Sequence, residues 1–261
     1  MAEPGPEAQA AKDRIELAWD NREQTGLTAE GLRDLIKDEI RALSVDLPAG
    51  KQYLLYAGFM EQAGALSART GSFVGVIQDT HAGQLVDELY RMPAVIDAVD
   101  EIRFNRGLDT SKYGVKNFVQ FDLGSPADLA SARFAEKASG GAYMLSTNAR
   151  ADFDNPANAS ILHRTEMKIF LGQNVEIDGT VYSNQSVTSI NGISRETLLE
   201  GGGERQLSNA EYGKAFNAVE AVSRTQVNFI AKAIGLGVDA DGNISSSDPD
   251  DYDKLTEAFN A

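Results

Sequence analysis

The sequence has no cysteine and only two histidines among its 261 residues. The absence of cysteine excludes disulfide bonds and thiolate metal sites. No stretch approaches the roughly 20 apolar residues that a membrane-spanning helix needs, so we expect no membrane partner. Basic residues are also scarce, with 24 Lys and Arg against 39 Asp and Glu and a formal net charge of -15. A surface of that charge is poorly suited to neutralising phosphates, which argues against a nucleic-acid partner.

What remains is the composition of a folded protein. Apolar residues make up 42% of the chain and charged residues 24%, and the length is sufficient to bury a sizeable core. The first seven residues, from Met1 to Glu7, are polar and acidic and lack the apolar core of a signal peptide. We therefore expect a protein that is made in the cytoplasm and carries no signal peptide.

Hydrophobic periodicity divides the chain into three segments. Apolar residues at helical spacing predict an N-terminal helical subdomain of two helices over residues 1–50. Residues 51–172 alternate short apolar runs with helical segments, which is typical of an α/β domain with a small, partly parallel sheet and flanking helices. Residues 173–261 form the third segment, for which the pattern predicts a hairpin, a long helix and an acidic C-terminal tail.

Turn and capping signals define the third segment. Asp178-Gly179 lies between two alternating runs and predicts a β-hairpin. Ser208 and Glu211 have the spacing of a capping box, which predicts the start of the long helix, and Gly235 ends it. Residues 237–248 partly resemble a calcium loop, but the first ligand position is glycine and the last is aspartate rather than glutamate. We interpret this stretch as an acidic turn and predict no metal site.

Local signals in the central segment give further boundaries. Ser125-Pro-Ala-Asp128 predicts a helix start, with a capping serine and a proline at the first helical position. Short apolar runs predict strands over 73–77, over 142–146 and over Met167–Leu171, the last of them opened by Glu166. A helix is expected over 60–69.

Four motifs in this segment belong together. They are Leu54-Leu-Tyr-Ala-Gly58, Ile77-Gln-Asp-Thr-His-Ala-Gly-Gln-Leu85, Ser131-Ala-Arg-Phe-Ala-Glu136 and Ser160-Ile-Leu-His-Arg-Thr-Glu166. In this order and at this spacing they resemble the ADP-ribosyl cyclase and NAD glycohydrolase family, which cleaves the nicotinamide–ribose bond of NAD. The resemblance covers about residues 51–172. It implies that NAD or NADP is the substrate and that no cofactor is needed.

The last motif carries the residue that the resemblance makes catalytic. Glu166 stands where the family has its catalytic glutamate, six residues after Ser160. A carboxylate there stabilises an oxocarbenium-like ribose by charge and hydrogen bonding. The resemblance makes Ser160 and His163 substrate contacts. Without the resemblance, a glutamate at a strand start is usually solvated or ion-paired.

The first two motifs supply expected contacts to nicotinamide. Tyr56 corresponds to the tryptophan of the family's Trp-Ser-Gly and either stacks on the substrate or ends a buried strand. Gln78, Asp79 and Thr80, with Gly83, resemble the family's Leu-Glu-x-Thr-x-x-Gly. Gln78 replaces a glutamate and can hydrogen-bond but carries no charge, which leaves the balance of hydrolysis and cyclisation open. Asp79 either compensates for that loss or caps the helix that starts near Thr80.

Arg133 lies in the third motif, where a guanidinium could pair with pyrophosphate oxygens. An ion pair on a helix surface is the alternative. The second aromatic residue of animal family members corresponds here to Ala127, which removes one stacking surface.

The resemblance implies an NAD(P) glycohydrolase or ADP-ribosyl cyclase. A cysteine-free member is most similar to bacterial relatives that serve as toxins or effectors, which implies export or delivery and an immunity protein as a candidate partner. Two alternatives remain open: a catalytically weak nucleotide-binding or interaction protein with the same fold, and a protein ADP-ribosyltransferase.

Overall fold

The structure is a computed structural model that describes residues 4–49, 55–56, 76–107, 119, 124–144, 159–200, 205–233 and 235–238. These residues form a mixed α/β fold. The helices are α1 (Pro6–Asp20), α2 (Arg22–Thr25), α3 (Ala29–Ala42), α4 (His81–Leu89), α5 (Pro93–Asn105), α6 (Pro126–Glu136), α7 (Met167–Phe170), α8 (Arg195–Leu198) and α9 (Asn209–Ala233). The strands are β1 (Leu55–Tyr56), β2 (Gly140–Tyr143), β3 (Val175–Ile177), β4 (Thr180–Tyr182), β5 (Val187–Ile190) and β6 (Ile193–Ser194). A 3-10 turn spans Ile77–Asp79, and a π-helical turn spans Leu162–Glu166.

The main sheet is partly parallel, as the sequence predicts. Its strand order is β1-β2-β5-β6, in which β2 pairs in parallel with both β1 and β5 and the β5–β6 pair is antiparallel. Strand β2 begins at Gly140, two residues before the predicted start at residue 142. Gly140 has φ of 80°. Gly140 thus opens the strand in the left-handed conformation, three residues after the C-cap of α6 at Lys137.

The predicted hairpin is confirmed as β3 and β4, joined by a two-residue turn. Asp178 and Gly179 have φ of 51° and 77°, the left-handed pair that an Asp-Gly hairpin turn requires. The Asp178 carboxylate accepts hydrogen bonds from Lys37 Nζ at 3.1 Å and Arg41 Nη2 at 2.5 Å. These ion pairs fasten the hairpin to α3.

Capping residues define the starts of α6 and α9, as predicted. Ser125 Oγ accepts the N–H of Asp128 at 3.1 Å, and the Asp128 carboxylate accepts the N–H of Ser125 at 3.2 Å, which is a complete capping box for α6. Ser208 and Glu211 form the same arrangement at the start of α9. Gly235, with φ of 82°, follows the end of that helix.

The N-terminal helices share one apolar core with the rest of the described chain. Helix α1 packs against α4 and α5, and α3 packs against α5 and α6. Ile15 and Trp19 of α1 and Leu32 and Ile36 of α3 are buried, and the same cluster continues as far as Val219 on α9. The sequence predicted two helices before residue 50, whereas the structure adds the one-turn helix α2 between them.

The predicted strand over Met167–Leu171 is wrong, because this segment is the helix α7 and its C-terminal turn. Met167, Ile169, Phe170 and Leu171 are all buried. A run of five residues in which only Lys168 is not buried has no period that separates helix from strand, so the pattern could not decide. Glu166 consequently ends a π-helical turn and does not open a strand.

Other predictions meet the described residues only in part. Of the strand predicted over 73–77, the structure describes residues 76 and 77, and Ile77 begins the 3-10 turn. The helix predicted over 60–69 and residues 239–248 of the calcium-like loop lie outside the described residues. Among the helices that are described, none is both long enough and apolar enough to cross a membrane.

Candidate active site

A buried ion pair joins the start of α6 to the π-helical turn. Arg164 donates from Nε to Asp128 Oδ1 at 2.9 Å and from Nη2 to Asp128 Oδ2 at 2.6 Å, and both side chains have no exposed surface. Thr165 Oγ1 donates to Asp128 Oδ1 at 2.6 Å, and Ser125 Oγ donates to Asp128 Oδ2 at 2.8 Å. The bidentate geometry and the added donors offset the desolvation of the buried carboxylate.

The next residue along the turn reaches the next turn of α6. Asp128 and Ser131 are three residues apart and therefore lie on one face of α6. Arg164 and Thr165 bind Asp128, and Glu166 accepts a hydrogen bond from the Ser131 hydroxyl. The ion pair thus fixes the chain immediately before Glu166. π-Helical turns are uncommon and occur frequently at functional sites.

The electrostatic environment of Glu166 is unusual for a glutamate. The residue is half-buried, and burial is the main cause that raises its pKa from 4.5 to about 7. The hydrogen bond from Ser131 acts in the opposite direction by favouring the charged form, whereas the negative charge of Asp128 raises the pKa further. A carboxyl group with a pKa near neutrality is present in both protonation states and is a candidate for acid–base or electrostatic catalysis.

The second motif also adjoins α6. Gln78 on the 3-10 turn donates a hydrogen bond to Asp87 of α4, which favours the ionised carboxylate while burial raises the pKa of Asp87. Burial strongly raises the pKa of the Tyr90 hydroxyl, and the charges of Asp87 and Asp128 raise it further. Helix α4, the 3-10 turn and the π-helical turn all pack against α6. Three of the four motifs therefore meet around this helix.

Of the first motif, the structure describes only the backbone of Leu55 and Tyr56. Tyr56 lies in β1 and pairs in parallel register with Tyr143 of β2, the strand that follows α6. Its side chain lies outside the described part of the structure, so its predicted stacking role stays a prediction.

Asp79 and Thr80 both hold local turns. Thr80 is buried, and its Oγ1 accepts the N–H of Gly83 at 3.1 Å, which caps α4. The Asp79 carboxylate accepts the N–H of Val76 at 3.2 Å and holds the 3-10 turn. A Cβ atom at Gly83 would lie 1.9 Å from the carbonyl oxygen of Ile77, so only glycine fits where α4 meets this turn.

Arg133 is engaged by the backbone of α3. Its Nη1 donates to the carbonyl oxygens of Ile40 and, at 3.0 Å, Leu43, which lie at the C-terminal end of that helix. Burial lowers the pKa of Arg133. A guanidinium in this position satisfies carbonyl groups that the helix end leaves without partners. The structure thus assigns Arg133 a contact that neither sequence interpretation had named.

The other two residues predicted in the last motif, His163 and Ser160, make contacts different from those of Glu166. His163 is 2% exposed and packs edge-on against Phe216 at 4.6 Å and against Tyr212 at 5.1 Å, both on α9. Ser160 is half-buried, and its Oγ lies 3.4 Å from the N–H of His163 at the start of the helical segment. His163 therefore faces α9, whereas Glu166 faces α6.

Sequence reasoning missed the residues that surround Glu166. Asp128 was interpreted only as part of the signal for a helix start, although it also binds Arg164 and Thr165. Ser131 opens the third motif, and Arg164 lies two positions before Glu166. Both residues therefore lie within the motifs, but neither was predicted to be a site residue. The guanidinium of Arg164 and the hydroxyl of Ser131, both inside the motifs that pointed to Glu166, were the signal that could have identified these two residues.

No known protein gives independent support for this site. Comparison of the chain with models of protein families, with curated proteins and with solved structures finds no match. In the described ranges, no group of three or more His, Asp or Glu side chains is placed to hold a metal ion. Glu166, with Ser131 and Asp128 beside it, is the candidate active site.

Proposed function

We propose that the protein is an NAD(P) glycohydrolase that cleaves the nicotinamide–ribose bond, with Glu166 as its catalytic carboxylate. One observation carries the proposal. Glu166 is a half-buried carboxyl group with a pKa of about 7, held beside Ser131 and Asp128 at the point where three of the sequence motifs meet. The resemblance of those motifs to the ADP-ribosyl cyclase and NAD glycohydrolase family supports the choice of substrate.

The chemistry requires one anionic group. Nicotinamide leaves as a neutral ring when the bond between the ribose C1′ and the ring nitrogen breaks and both bonding electrons go to the nitrogen. The positive charge left on the ribose is stabilised by the ionised Glu166 carboxylate. Water then adds to C1′ and loses a proton, which yields ADP-ribose. Glu166 performs this role only in its charged form.

The surroundings of Glu166 suit a cationic substrate. Asp128 is held in place by Arg164, and its negative charge raises the pKa of Glu166 in the free protein. A bound nicotinamide cation opposes that effect, because a nearby positive charge favours the ionised carboxylate. The Ser131 hydroxyl orients the carboxylate by donating a hydrogen bond. Substrate binding thus promotes the charge state that cleavage needs.

A second candidate is a nucleotide-binding or interaction protein with weak or no catalytic activity. The observation that favours it concerns the two arginines in the motifs. Arg133 donates to backbone carbonyls of α3, and Arg164 donates to Asp128. Neither guanidinium is presented as an open partner for pyrophosphate, so this part of the site offers no strong cationic contact to NAD.

Product analysis separates the two candidates. Purified full-length protein is incubated with NAD and with NADP, and nicotinamide, ADP-ribose and cyclic ADP-ribose are followed by chromatography. Glu166→Gln is compared with the matched control Glu176→Gln, an exposed glutamate on β3. We expect wild type and the control to release nicotinamide and the Glu166→Gln variant to be at least about 100-fold slower. Intact NAD and NADP with folded wild-type protein would reject the glycohydrolase and favour the binding protein.

Delivery and inhibition follow from the proposed activity. An NAD glycohydrolase that turns over fast enough to deplete NAD damages the cell that makes it unless the enzyme is exported or inhibited. The immunity protein that the resemblance implies would supply that inhibition. Co-purification of the wild-type protein from its natural source, followed by restoration of NAD cleavage after the partner is removed, would test this part of the proposal.

A further inference from the structure

A small cleft opens beside α7 at the N-terminal end of α9. It has a volume of about 80 Å³ and is lined in part by Lys168, Gln173, Gln206 and Tyr212. That space admits several water molecules or one small polyatomic ion. Lys168 and Glu166 are two residues apart on a helical segment and point to different faces. The cleft is therefore separate from the candidate active site.

Lys168 provides the positive charge in this cleft. Its Nζ lies 5.5 Å from the centroid of the Tyr212 ring, and burial lowers the pKa of its half-buried ammonium. Among the described residues, no carboxylate forms an ion pair with it within 4.0 Å. The partial desolvation of this cation is thus offset by the face of one aromatic ring and by no described anion.

Glu211, which precedes Tyr212 in the first turn of α9, already has a cationic partner. Glu211 accepts from Arg205 at 2.7 Å and from the backbone N–H and Oγ of Ser208 at 2.9 and 2.7 Å. The ion pair and these hydrogen bonds lower the pKa of Glu211 to about 2. Arg205 neutralises the carboxylate of Glu211. Glu211 therefore does not neutralise the ammonium of Lys168.

The amide side chains have a defined orientation. Gln173 Oε1 accepts the N–H of Leu207, and Gln206 Oε1 accepts the N–H of Asn174 at 3.0 Å. Since its oxygen is used in this way, Gln206 presents its NH₂ group as a donor. The positive end of the α9 dipole lies at the same side of the cleft. The positive charge of Lys168 and the N–H donors at this cleft therefore suit a negatively charged group that accepts hydrogen bonds.

We propose that this cleft binds a small oxyanion of the phosphate class, with its charge facing Lys168 and an oxygen accepting a hydrogen bond from Gln206. A lysine ammonium is a compact point charge that suits the several oxygens of a phosphate group. The volume of the cleft suits a single anionic group, either a free ion or the terminal phosphate of a larger molecule. The proposal does not depend on the NAD glycohydrolase activity.

Nuclear magnetic resonance titration of the full-length protein tests the proposal. Inorganic phosphate is added at constant ionic strength, and backbone amide shifts are followed in wild type, Lys168→Met and Lys214→Met. Lys214 is a matched control because it lies on α9, its side chain is 71% exposed and it pairs only loosely with Glu200 at 3.5 Å. Methionine keeps an apolar stem of similar length over Tyr212.

We expect saturable shifts at Asn174, Leu207 and Asn209 in wild type and Lys214→Met, and binding about tenfold or more weaker in Lys168→Met. Acetate serves as a comparison, and equal or tighter binding of acetate would replace the phosphate assignment with a carboxylate one. The absence of a saturable shift at these amides in wild type, or unchanged binding in Lys168→Met, would overturn the site. If the Lys168→Met variant does not fold, the titration of the wild-type protein alone still tests whether the cleft binds phosphate.

Discussion

Replacing Glu166 with glutamine is expected to stabilise the protein at alkaline pH and to leave its stability unchanged at acidic pH. Burial raises the pKa of this carboxyl from 4.5 to about 7. Between those values the folded protein keeps a proton that the unfolded chain has lost. The stability associated with the protonated form is present below pH 4.5 and is lost as pH rises through about 7.

The size of the effect follows from the width of that interval. Each pH unit between the two pKa values lowers the free energy of unfolding by at most about 1.4 kcal/mol. The interval from 4.5 to about 7 therefore gives an upper figure of about 3 kcal/mol at pH 8, which solvent at this half-buried group reduces. Glutamine has nearly the same shape and stays neutral at every pH, so Glu166→Gln should recover this amount.

Urea unfolding at pH 4 and at pH 8 measures the difference. Wild type, Glu166→Gln and the exposed control Glu176→Gln are compared, and the control should change little between the two pH values. A gain for Glu166→Gln that is equal at both pH values would refute the reasoning. A variant that is less stable than wild type at pH 8 would show that the ionised carboxylate has a favourable partner.

Three further substitutions test the surroundings of the site. Arg164→Met should lower the free energy of unfolding by about 3–5 kcal/mol in urea titrations, because it leaves a buried carboxylate without its cation. Ser131→Ala should raise the pKa of Glu166 further, since it removes a donor to the charged form, and carboxyl resonances followed against pH report the shift. Gly83→Ala should lower the melting temperature substantially, because the new Cβ meets the carbonyl of Ile77 at 1.9 Å.

Two of these substitutions, Arg164→Met and Gly83→Ala, have a control in the same chain. Arg224→Met removes a surface pair with Glu220 on α9 and should cost less than about 1 kcal/mol. Gly31→Ala places its Cβ 3.1 and 3.3 Å from side-chain atoms of Leu27 and Thr28 and should be far better tolerated than Gly83→Ala. Equal losses for Arg164→Met and Arg224→Met would contradict the role of the buried pair, and a lowered pKa of Glu166 in Ser131→Ala would contradict the assigned hydrogen bond.

The helix and hairpin boundaries were predictable where a local signal decides them. Asp178 and Gly179 determine the hairpin turn through their own backbone conformation, and Ser208 caps α9 three residues before Glu211. Such features depend on residues within one turn of each other, so sequence spacing is enough to find them. The alternation of apolar runs likewise predicted the partly parallel sheet.

The site depends on contacts that spacing does not encode. Asp128 satisfies its local capping role, so nothing in its own segment indicates that Arg164, 36 residues later, also binds it. The strand predicted at Met167 was wrong because four of the five residues from Met167 to Leu171 are buried, which leaves no period that separates helix from strand. The position of Arg133 against Leu43 depends on how α6 packs on α3, 90 residues apart in the chain. These outcomes are set by tertiary packing.

The pH dependence of NAD cleavage is the most direct measurement of the proposed role of Glu166. Initial rates of nicotinamide release are measured from pH 5 to pH 9 for wild type and Glu166→Gln. With a pKa of about 7 for Glu166, kcat/KM of wild type should rise about tenfold per pH unit below 7 and level off above it, while the variant stays inactive. Equal cleavage by the variant, or intact NAD and NADP across the whole range with a folded wild-type protein, would contradict it.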